Sequence, residues 1–432
     1  MHSSLTALSD GGFVASWQSF NQDGSGEGVY AQRYDAQDQA VGGEFRVNAY
    51  TTYAQYDPSL TALPDGGFVA SWESYDQDGS GYGVYAQRYD AQSQMVGGEF
   101  RINTHITSDQ YAPSLTTLSD GGFVASWHSY SQDGSDFGVY AQRYNAQSQA
   151  VGGEFRVNTH TADGQSAPSL TALSDGGFVA SWHSYGQDGS GFGVYAQRYD
   201  AQSQAVSGEF RVNTYTAGDQ VHPSLTALLG GGFVASWYSY GQDGSGNGVY
   251  AQRYDAKGQA AGGEFRVNTY TTDSQRYPIL TALSDGGFVA SWTSSGQDGS
   301  DYGVYAQRYD AQGQVVGGEF RIHTYTSGSP WDSSLTTLSD GSFVVSWESL
   351  DQDGSHYNVY ARRYGIANVV PTGDPGPLPD GQEDVPYLLT TAALIAGITD
   401  ADGDLMAVLN LTANHGTLSD NGNFTWTFTP DA

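Results

Sequence analysis

Short runs in which apolar and polar residues alternate fill the first 366 residues of the chain. Alternation over four to eight residues that are rich in aromatic and β-branched side chains predicts strands, and glycine-rich turns between such runs predict antiparallel pairing. One stretch shows four runs, at 58–63 (PSLTAL), 68–74 (FVASWES), 84–89 (VYAQRY) and 99–104 (EFRINT). In the second run, Phe68, Ala70 and Trp72 fall on one side of the predicted strand. Each stretch of this kind therefore predicts a four-stranded sheet.

The four-run unit recurs seven times with a constant period of 55 residues. Its tryptophan stands at Trp17, Trp72, Trp127, Trp182, Trp237, Trp292 and Trp347. Four short strands in a unit of this length are typical of a propeller blade, and the alternative is an open solenoid. We predict a closed all-β, seven-bladed β-propeller over residues 1–366, because the first and last copies lack the distinct polar caps that an open stack needs.

The seventh copy ends after its third run, VYARRY at 359–364. A fourth, outer strand is therefore required to complete the last blade. We expect it to come from 365–370 (GIANVV) or from sequence that precedes Met1 in a longer protein. The start of the chain inside a blade favours the interpretation that the chain is a monomeric fragment.

Composition narrows the classes of partner. The 47 acidic and 16 basic residues give a net charge of −31, which would repel nucleic acid. No run of 18 apolar residues predicts membrane insertion, no export signal precedes the first blade, and the absence of cysteine excludes disulfides. Nearly all the arginines recur at two fixed places, AQRY and EFR, and Arg276 and Arg362 depart from this rule.

Several recurring residues have a structural interpretation. The tryptophans are expected to pack between blades, and Arg33 is expected to pair with Glu44 on the neighbouring strand. The aspartate of the QDGSG loop is expected to cap its own turn. Two copies carry a second carboxylate two residues earlier, which leaves calcium as a weaker alternative there. These weaker metal candidates are Asp76, Asp78, Asp351 and Asp353.

The copies differ mainly in loops that emerge on one face of a propeller, around its channel. Aromatic rings beside hydroxyl and carboxamide groups are suited to uncharged or weakly charged sugars, whose apolar faces pack on rings while their hydroxyl groups form hydrogen bonds. The alternative is that tyrosine is merely favoured in the loops of an all-β protein. The predicted ligand-binding residues are Tyr56, Glu73, Tyr111, His128, His183, Tyr238, Tyr277, Trp331 and Glu348.

A catalytic alternative rests on a histidine-rich sector in blades three to five. A histidine and a tyrosine there could abstract a proton beside a uronate carboxylate, as a polysaccharide lyase does. The candidates are His105, His128, His160, His183, Tyr130 and Tyr185. The face offers only Arg276 to neutralise that carboxylate, and Glu73 and Glu348 are expected to lie too far apart for glycoside hydrolysis. Binding is therefore favoured over catalysis, and a passive spacer is the third possibility.

The repeat ends before a Pro/Gly-rich stretch, which predicts a linker at 367–382. The following segment contains EDVPY, TDADGD and GTLSDNGNFTWTFTP, and it resembles the opening of the cadherin-like domains of large secreted bacterial adhesins and RTX-type proteins. The resemblance implies a partial β-sandwich at 383–432 and a calcium-stiffened joint. The implied calcium ligands are Glu383, Asp384, Asp400, Asp402 and Asp404.

Together these features predict an extracellular or cell-surface module for binding and adhesion in a calcium-dependent bacterial protein. The predicted partner is a glycan or a surface receptor. Seven near-equivalent loops on one face suit multivalent binding.

Overall fold

In the computed structural model the chain forms two compact units, Met1–Ile366 and Ala367–Ala432. The structure describes residues 3–299, 301–324, 329–350, 357–365, 373–374, 378, 385–398, 408, 411–422 and 425–431. Most of the predicted linker at 367–382 lies outside these residues, so it stays a prediction. The two units are described separately below.

The first unit contains seven antiparallel sheets, each made of strands that are consecutive in the chain. Blades 1 to 3 comprise β1 (Ser3–Ala7), β2 (Phe13–Phe20), β3 (Glu27–Tyr34), β4 (Ala40–Arg46), β5 (Gln55–Ala62), β6 (Phe68–Tyr75), β7 (Tyr82–Tyr89), β8 (Met95–Arg101), β9 (Gln110–Thr117), β10 (Phe123–Tyr130), β11 (Phe137–Tyr144) and β12 (Ala150–Arg156). Blades 4 and 5 comprise β13 (Gln165–Ala172), β14 (Phe178–Tyr185), β15 (Phe192–Tyr199), β16 (Ala205–Arg211), β17 (Gln220–Ala227), β18 (Phe233–Tyr240), β19 (Asn247–Tyr254) and β20 (Phe265–Arg266). Blades 6 and 7 comprise β21 (Gln275–Ala282), β22 (Phe288–Ser295), β23 (Tyr302–Tyr309), β24 (Val315–Arg321), β25 (Trp331–Thr337), β26 (Phe343–Leu350) and β27 (Tyr357–Tyr364).

The buried residues lie mainly between blades rather than within them. Between blades 1 and 2, Val47 packs in one cluster with Trp72, which is fully buried. On the blade 2 side of this cluster, Phe68 stacks on Tyr89 with ring centroids 4.7 Å apart. Burial of one tryptophan at about 25 cal/mol per Å² stabilises the fold by several kcal/mol. The predicted packing role of the tryptophan is confirmed for Trp72, and the same cluster recurs between the following blades.

The ring of blades is closed. The first inner strand, β1, contacts β25 of blade 7 as well as β5 of blade 2. The backbone N–H of Leu5 donates to Ser334 Oγ (3.1 Å), just as the N–H of Leu60 donates to Ser4 Oγ (3.0 Å) one blade further on. This continuity confirms the seven-bladed propeller and excludes the open solenoid. In blade 7 the described residues form three strands, and the proposed fourth strand at 365–370 lies outside them except for Gly365.

Two strand boundaries differ from the sequence-based prediction. The inner strand of blade 2 begins at Gln55 rather than at Pro58, with a shift of register between Tyr56 and Ser59. The outer strand begins at Met95 rather than at Glu99. Both strands contain a residue with positive φ, which allows a bulge to continue the pairing on either side.

The predicted ion pair between Arg33 and Glu44 is wrong. The Arg33 guanidinium instead pairs with Asp10 (Nη2 to Oδ2, 2.5 Å) in the turn before the second strand. Glu44 accepts a hydrogen bond from the side chain of Gln22. The register explains the difference, because Arg33 lies opposite Val41 rather than opposite Glu44.

The second unit contains a three-stranded antiparallel sheet in the order β28 (Tyr387–Thr390), β30 (Thr425–Pro430), β29 (Gly416–Gly422). A single-turn helix, α1 (Thr391–Leu394), follows β28, and the Thr390 hydroxyl caps it by accepting from the N–H of Ala393 at 3.2 Å. Leu389 is the buried residue of β28. This sheet agrees with the predicted β-sandwich segment.

Candidate functional site

One face of the propeller carries most of the variable residues. In every complete blade the first strand starts, the second ends and the third starts at this face, and the connection between blades also crosses it. We call it the upper face. Cross-strand pairing there joins predicted ligand residues directly. Tyr56 lies opposite Glu73, Tyr111 opposite His128 and Trp331 opposite Glu348.

Aromatic rings form a continuous chain across blades 2 and 3. The ring of Tyr75 contacts those of Tyr53 (5.6 Å between centroids) and Tyr82 (4.9 Å). Tyr82 in turn contacts Tyr111 at 5.0 Å, and Tyr111 contacts His128 at 5.6 Å. These separations lie in the range of favourable aromatic pairs. Blades 2 and 3 therefore share one aromatic surface.

A second chain of rings crosses blades 4 to 6. Phe192 contacts both Tyr185 (5.1 Å) and His183 (4.9 Å). His183 contacts His222 at 5.6 Å, which stacks on Tyr238 at 5.5 Å and meets Tyr277 edge-on at 5.1 Å. We call the two chains together the aromatic arc, which consists of Tyr53, Tyr56, Tyr75, Tyr82, Tyr111, His128, Tyr130, Phe137, His183, Tyr185, Phe192, His222, Tyr238 and Tyr277.

The outer part of the aromatic arc is exposed to solvent. The exposed fractions are 49% for Tyr53, 41% for Tyr75, 42% for Tyr130 and 48% for Tyr185. His183, in contrast, is only 8% exposed. The arc thus presents flat exposed rings on a rigid buried support, and its exposed part is available to a ligand.

Residues that follow the core tryptophan couple adjacent blades. Gln18 Oε1 accepts from the N–H of Asp57 at 3.2 Å, and Thr293 Oγ1 accepts from the N–H of Asp332 at 3.3 Å. Glu73 is 4% exposed and Glu348 is fully buried at the same position. The variable residue that follows the core tryptophan therefore contributes partly to contacts between blades rather than to the open surface.

His183 is held as a neutral imidazole. Its Nδ1 accepts from the N–H of His222 (3.3 Å), so the proton resides on Nε2, which lies 2.8 Å from Ser166 Oγ. Burial and the nearby His222 and His128 lower the pKa of His183 well below its ordinary value. Burial, with a smaller contribution from His222, lowers the pKa of His128 to about 3. Such weakly basic imidazoles are poor general bases at neutral pH.

The remaining catalytic candidates are spread over the upper face. His105 and His160 lie on connections between blades, where their carbonyl groups accept from the amides of Asn103 (2.6 Å) and Asn158 (2.6 Å). Tyr130 packs on Phe137 at the exposed rim. The structure therefore places His128 and Tyr130 in the first chain of rings and His183 and Tyr185 in the second. Among the described residues, His105 and His160 make no ring contact with either chain.

A cavity of about 500 Å³ opens at the centre of the upper face. Its wall includes a proline from each of five inner strands, such as Pro58 and Pro168. The residue before each proline has positive φ, and the equivalent residue of blade 7 does as well. These residues are Asp57 (48°), Ala112 (50°), Ala167 (51°), His222 (52°), Tyr277 (55°) and Asp332 (51°). Sequence analysis missed this ring, and the recurring residue–proline pair was the signal that could have found it.

The metal candidates have separate outcomes. Asp78 Oδ1 accepts from the N–H of Ser80 at 3.2 Å, and Arg101 lies 3.7 Å from its Oδ2, so this carboxylate caps its own turn. Asp76 has a φ of 57° in that turn. Within the described ranges no group of three potential ligands is placed to hold a metal ion. The candidates Asp351, Asp353, Glu383, Asp384, Asp400, Asp402 and Asp404 lie outside the described residues.

Comparison with known proteins supports the division into two units. A family model of the cadherin-like domain matches residues 367–432. The resemblance to a cadherin-like domain is therefore confirmed for the C-terminal unit, and this match does not extend into the propeller. No functionally curated protein matches the chain. Among the helices of the described residues, none combines the length and apolar character that crossing a membrane requires.

Solved structures resemble the propeller in fold. One is an α-L-arabinofuranosidase from Fusarium graminearum bound to an iminosugar inhibitor, with a TM-score of 0.52, 14% identity, and coverage of 72% of this chain and 92% of that chain. A polysaccharide lyase matches with a TM-score of 0.52, 11% identity, and coverage of 83% and 88%. A protein of unknown function from Dyadobacter fermentans matches with a TM-score of 0.50, 10% identity, and coverage of 84% and 93%. At these identities the likeness concerns the fold alone.

Proposed function

We propose that the propeller is a carbohydrate-binding module that works in adhesion at the outside of a bacterial cell. The observation that carries this proposal is the aromatic arc, because exposed rings such as Tyr75 and Tyr185 stand on a closed, rigid scaffold. The apolar face of a pyranose packs on such rings, and neighbouring hydroxyl groups bind its polar rim. Two solved structures with a similar fold are named as an arabinofuranosidase and a polysaccharide lyase, which is consistent with a carbohydrate ligand.

The arc favours an extended chain over a single sugar. Contacting rings run from Tyr53 in the connection before blade 2 to Phe137 in blade 3, so successive sugar units can pack on successive rings. Each contact is weak in water, and several contacts on one chain raise the overall affinity. The ligand that fits this surface is therefore a polysaccharide or a long oligosaccharide.

Binding is favoured over catalysis by the state of the inner histidines. Both nitrogens of His183 are engaged, by Ser166 and by the N–H of His222. Glu73 is buried and accepts from the backbone of the next blade. A general acid or base must reach the reacting atoms of a substrate, and these groups are committed to the scaffold instead.

The C-terminal unit supports the adhesive part of the proposal. Its match to a cadherin-like domain is consistent with a role in a surface or secreted protein. Glu383, Asp384, Asp400, Asp402 and Asp404 supply only oxygen ligands, the donor set that Ca²⁺ prefers. Bound calcium would neutralise these carboxylates and stiffen the segment. Replacement of Asp402 by Asn should weaken calcium binding measured by calorimetry, and unchanged binding would remove Asp402 from the ligand set.

The experiment that tests the proposed function is an array of immobilised polysaccharides probed with the whole chain. The Tyr82→Ala and Tyr111→Ala variants should lose affinity for any polysaccharide that binds the wild type, by about tenfold each. Phe20→Ala is a matched control, because Phe20 occupies the position of Tyr75 in blade 1, is 69% exposed and lies outside the arc. An array with no ligand, or equal binding by all three variants, would contradict the proposal. Breakdown of a bound polymer would instead favour the enzyme.

A further inference from the structure

A second cavity lies on the upper face between blades 6 and 7. It has a volume of about 300 Å³ and lies at the small end of the range for ligand pockets, a size that suits a single sugar unit. Its wall is formed by Ser274, Arg276, Tyr277, Thr293, Tyr302, Ser329, Trp331 and Leu350. Three aromatic rings and one guanidinium thus surround the same space.

Arg276 departs from the repeat. The equivalent positions of blades 2 to 5 and 7 carry Tyr56, Tyr111, Ser166, Val221 and Trp331, so a cation replaces an uncharged side chain here. The guanidinium is fixed in place by neutral groups. With the Asn247 amide turned so that its oxygen faces Arg276, that oxygen accepts from Nε at 2.8 Å and from Nη2 at 3.0 Å. Nη2 also donates to Ser274 Oγ at 3.2 Å.

The residue beside the guanidinium carries no carboxylate. At the position of Ser274, blade 3 has Asp109, whose Oδ1 accepts from the N–H of Tyr82 at 2.9 Å. Ser274 Oγ occupies the same place and accepts from the N–H of Asn247 at 3.3 Å. The hydroxyl keeps the hydrogen bond to the backbone but brings no negative charge. The same position carries Asp109 and Asp219 in blades 3 and 5 and an uncharged residue in blades 2, 4 and 7, so Arg276 has no counter-ion from this position.

Arg276 makes no ion pair with a carboxylate of the described residues, although the whole chain carries a net charge of −31. Its Nη1 also has no hydrogen-bond partner among those residues. The neutral partners fix the position of the guanidinium but do not neutralise its charge, so it can bind an external anion. A planar carboxylate matches the geometry of the guanidinium.

We propose that this cavity binds an acidic sugar, a hexuronate, with its carboxylate at Arg276 and its ring between Tyr277 and Trp331. This inference rests on the proposed carbohydrate function. It names the class of sugar that the cavity between blades 6 and 7 selects on the upper face. Thr293 Oγ1 and Ser274 Oγ lie in the wall and accept hydrogen bonds from the protein, so each retains its hydroxyl proton to donate to a sugar oxygen. Neutral sugars would occupy the aromatic arc, and the acidic unit would fix the register of the chain.

The test uses a monosaccharide, which is too small to extend along the aromatic arc beyond Tyr277, the residue that the arc and the cavity share. Ligand-detected NMR titration of the whole chain is carried out with methyl glucuronoside, its uncharged methyl ester and methyl glucoside. Wild type should bind the acid about tenfold more tightly than the ester. Arg276→Gln should bind acid and ester equally. Arg156→Gln removes one positive charge from an outer strand, and it should retain the preference, since Arg156 donates to the Asn158 carbonyl away from the cavity.

The outcomes separate the two proposals. Equal binding of acid and ester by wild type, no binding of the acid, or an unchanged preference in Arg276→Gln would overturn the hexuronate site. Polysaccharide binding that depends on Tyr111 would survive each of these results. Conversely, loss of all arc-dependent binding, with a preference for the acid that depends on Arg276, would leave the cavity as a carboxylate site without the extended binding surface.

Discussion

Glu73 Oε1 in blade 2 accepts a hydrogen bond from the backbone N–H of Ala112 in blade 3, at 2.5 Å. Ala112 has a φ of 50°, so this bond holds a strained residue in place at the rim of the central cavity. A residue that sequence comparison of the copies marks as variable therefore serves as a joint between blades.

Replacement of Glu73 by Ala should lower the free energy of unfolding by about 1–3 kcal/mol, because it leaves the partly buried N–H of Ala112 without its acceptor. Glu73→Gln should cost far less, since Gln18 performs the same role in blade 1. Chemical denaturation of the three proteins measures the difference. If Glu73→Ala and Glu73→Gln unfold at the same denaturant concentration, the bond has no role in stability.

Replacement of Ala167 by Gly should stabilise the protein. Ala167 has a φ of 51° and precedes Pro168, and this conformation costs an L-residue about 1–2 kcal/mol. Glycine removes this strain, but the greater flexibility of glycine in the unfolded chain offsets about half of the stabilisation. The expected change is an increase of about 0.5–1 kcal/mol in the free energy of unfolding. The control is Ala172→Gly in the same strand, where φ is not positive and the change should be destabilising. Equal effects of the two substitutions would show that Ala167 is not strained.

Much of the fold is predictable from the sequence because the signal is repeated. Alternation around Trp72, the glycine turns and the constant spacing of the copies point to the same four-stranded blade. The beginning of the inner strand was not predicted. Proline at Pro58 ordinarily ends a strand, and only the backbone shows that a positive φ at Asp57 allows pairing to resume.

The face on which the candidate site lies was predictable from the sequence, but the contacts among its residues were not. Tyr56, Tyr111 and His183 do lie on one face, as the position of the loops implies. Their partners come from the neighbouring blade, because Tyr111 contacts Tyr82, 29 residues earlier, and His183 accepts from His222, 39 residues later. The partner of Arg33 was missed for a related reason, because register decides whether Asp10 or Glu44 is within reach.

Stability should fall as the solution is acidified from about pH 7 to about pH 5. Burial lowers the pKa of His128 to about 3 and that of His183 well below 6.5, so in this range the unfolded chain binds protons that the folded protein does not. The loss should be about 1–2 kcal/mol for each histidine at the lower pH. Denaturation at both pH values measures it. The double variant His128→Gln, His183→Gln should lose less on acidification, and His160→Gln controls for removal of a histidine elsewhere. An unchanged pH dependence in the double variant would contradict the assignment.

Closure of the ring should depend on Arg363. Its Nη1 donates to the carbonyl of Ala36 in blade 1 at 2.7 Å and pairs with Asp38 at 3.0 Å, while its Nη2 pairs with Asp340 in its own blade. Arg363→Ala should therefore accelerate amide hydrogen exchange in β1 and β25 and lower the free energy of unfolding by about 1–2 kcal/mol.

The matched control is Arg198→Ala in blade 4. Arg198 forms the equivalent ion pair with Asp175 within its blade, and it makes no bond to another blade among the described residues. Its removal should leave exchange in β1 and β25 unchanged. Elsewhere in the ring, neighbouring inner strands belong to blades that follow one another in the chain. The inner strands β1 and β25 do not, so the seam between blades 7 and 1 relies on side-chain bonds such as those of Arg363. Equal exchange in the two variants would show that the seam is held by the packing of Leu5 and Leu338 instead.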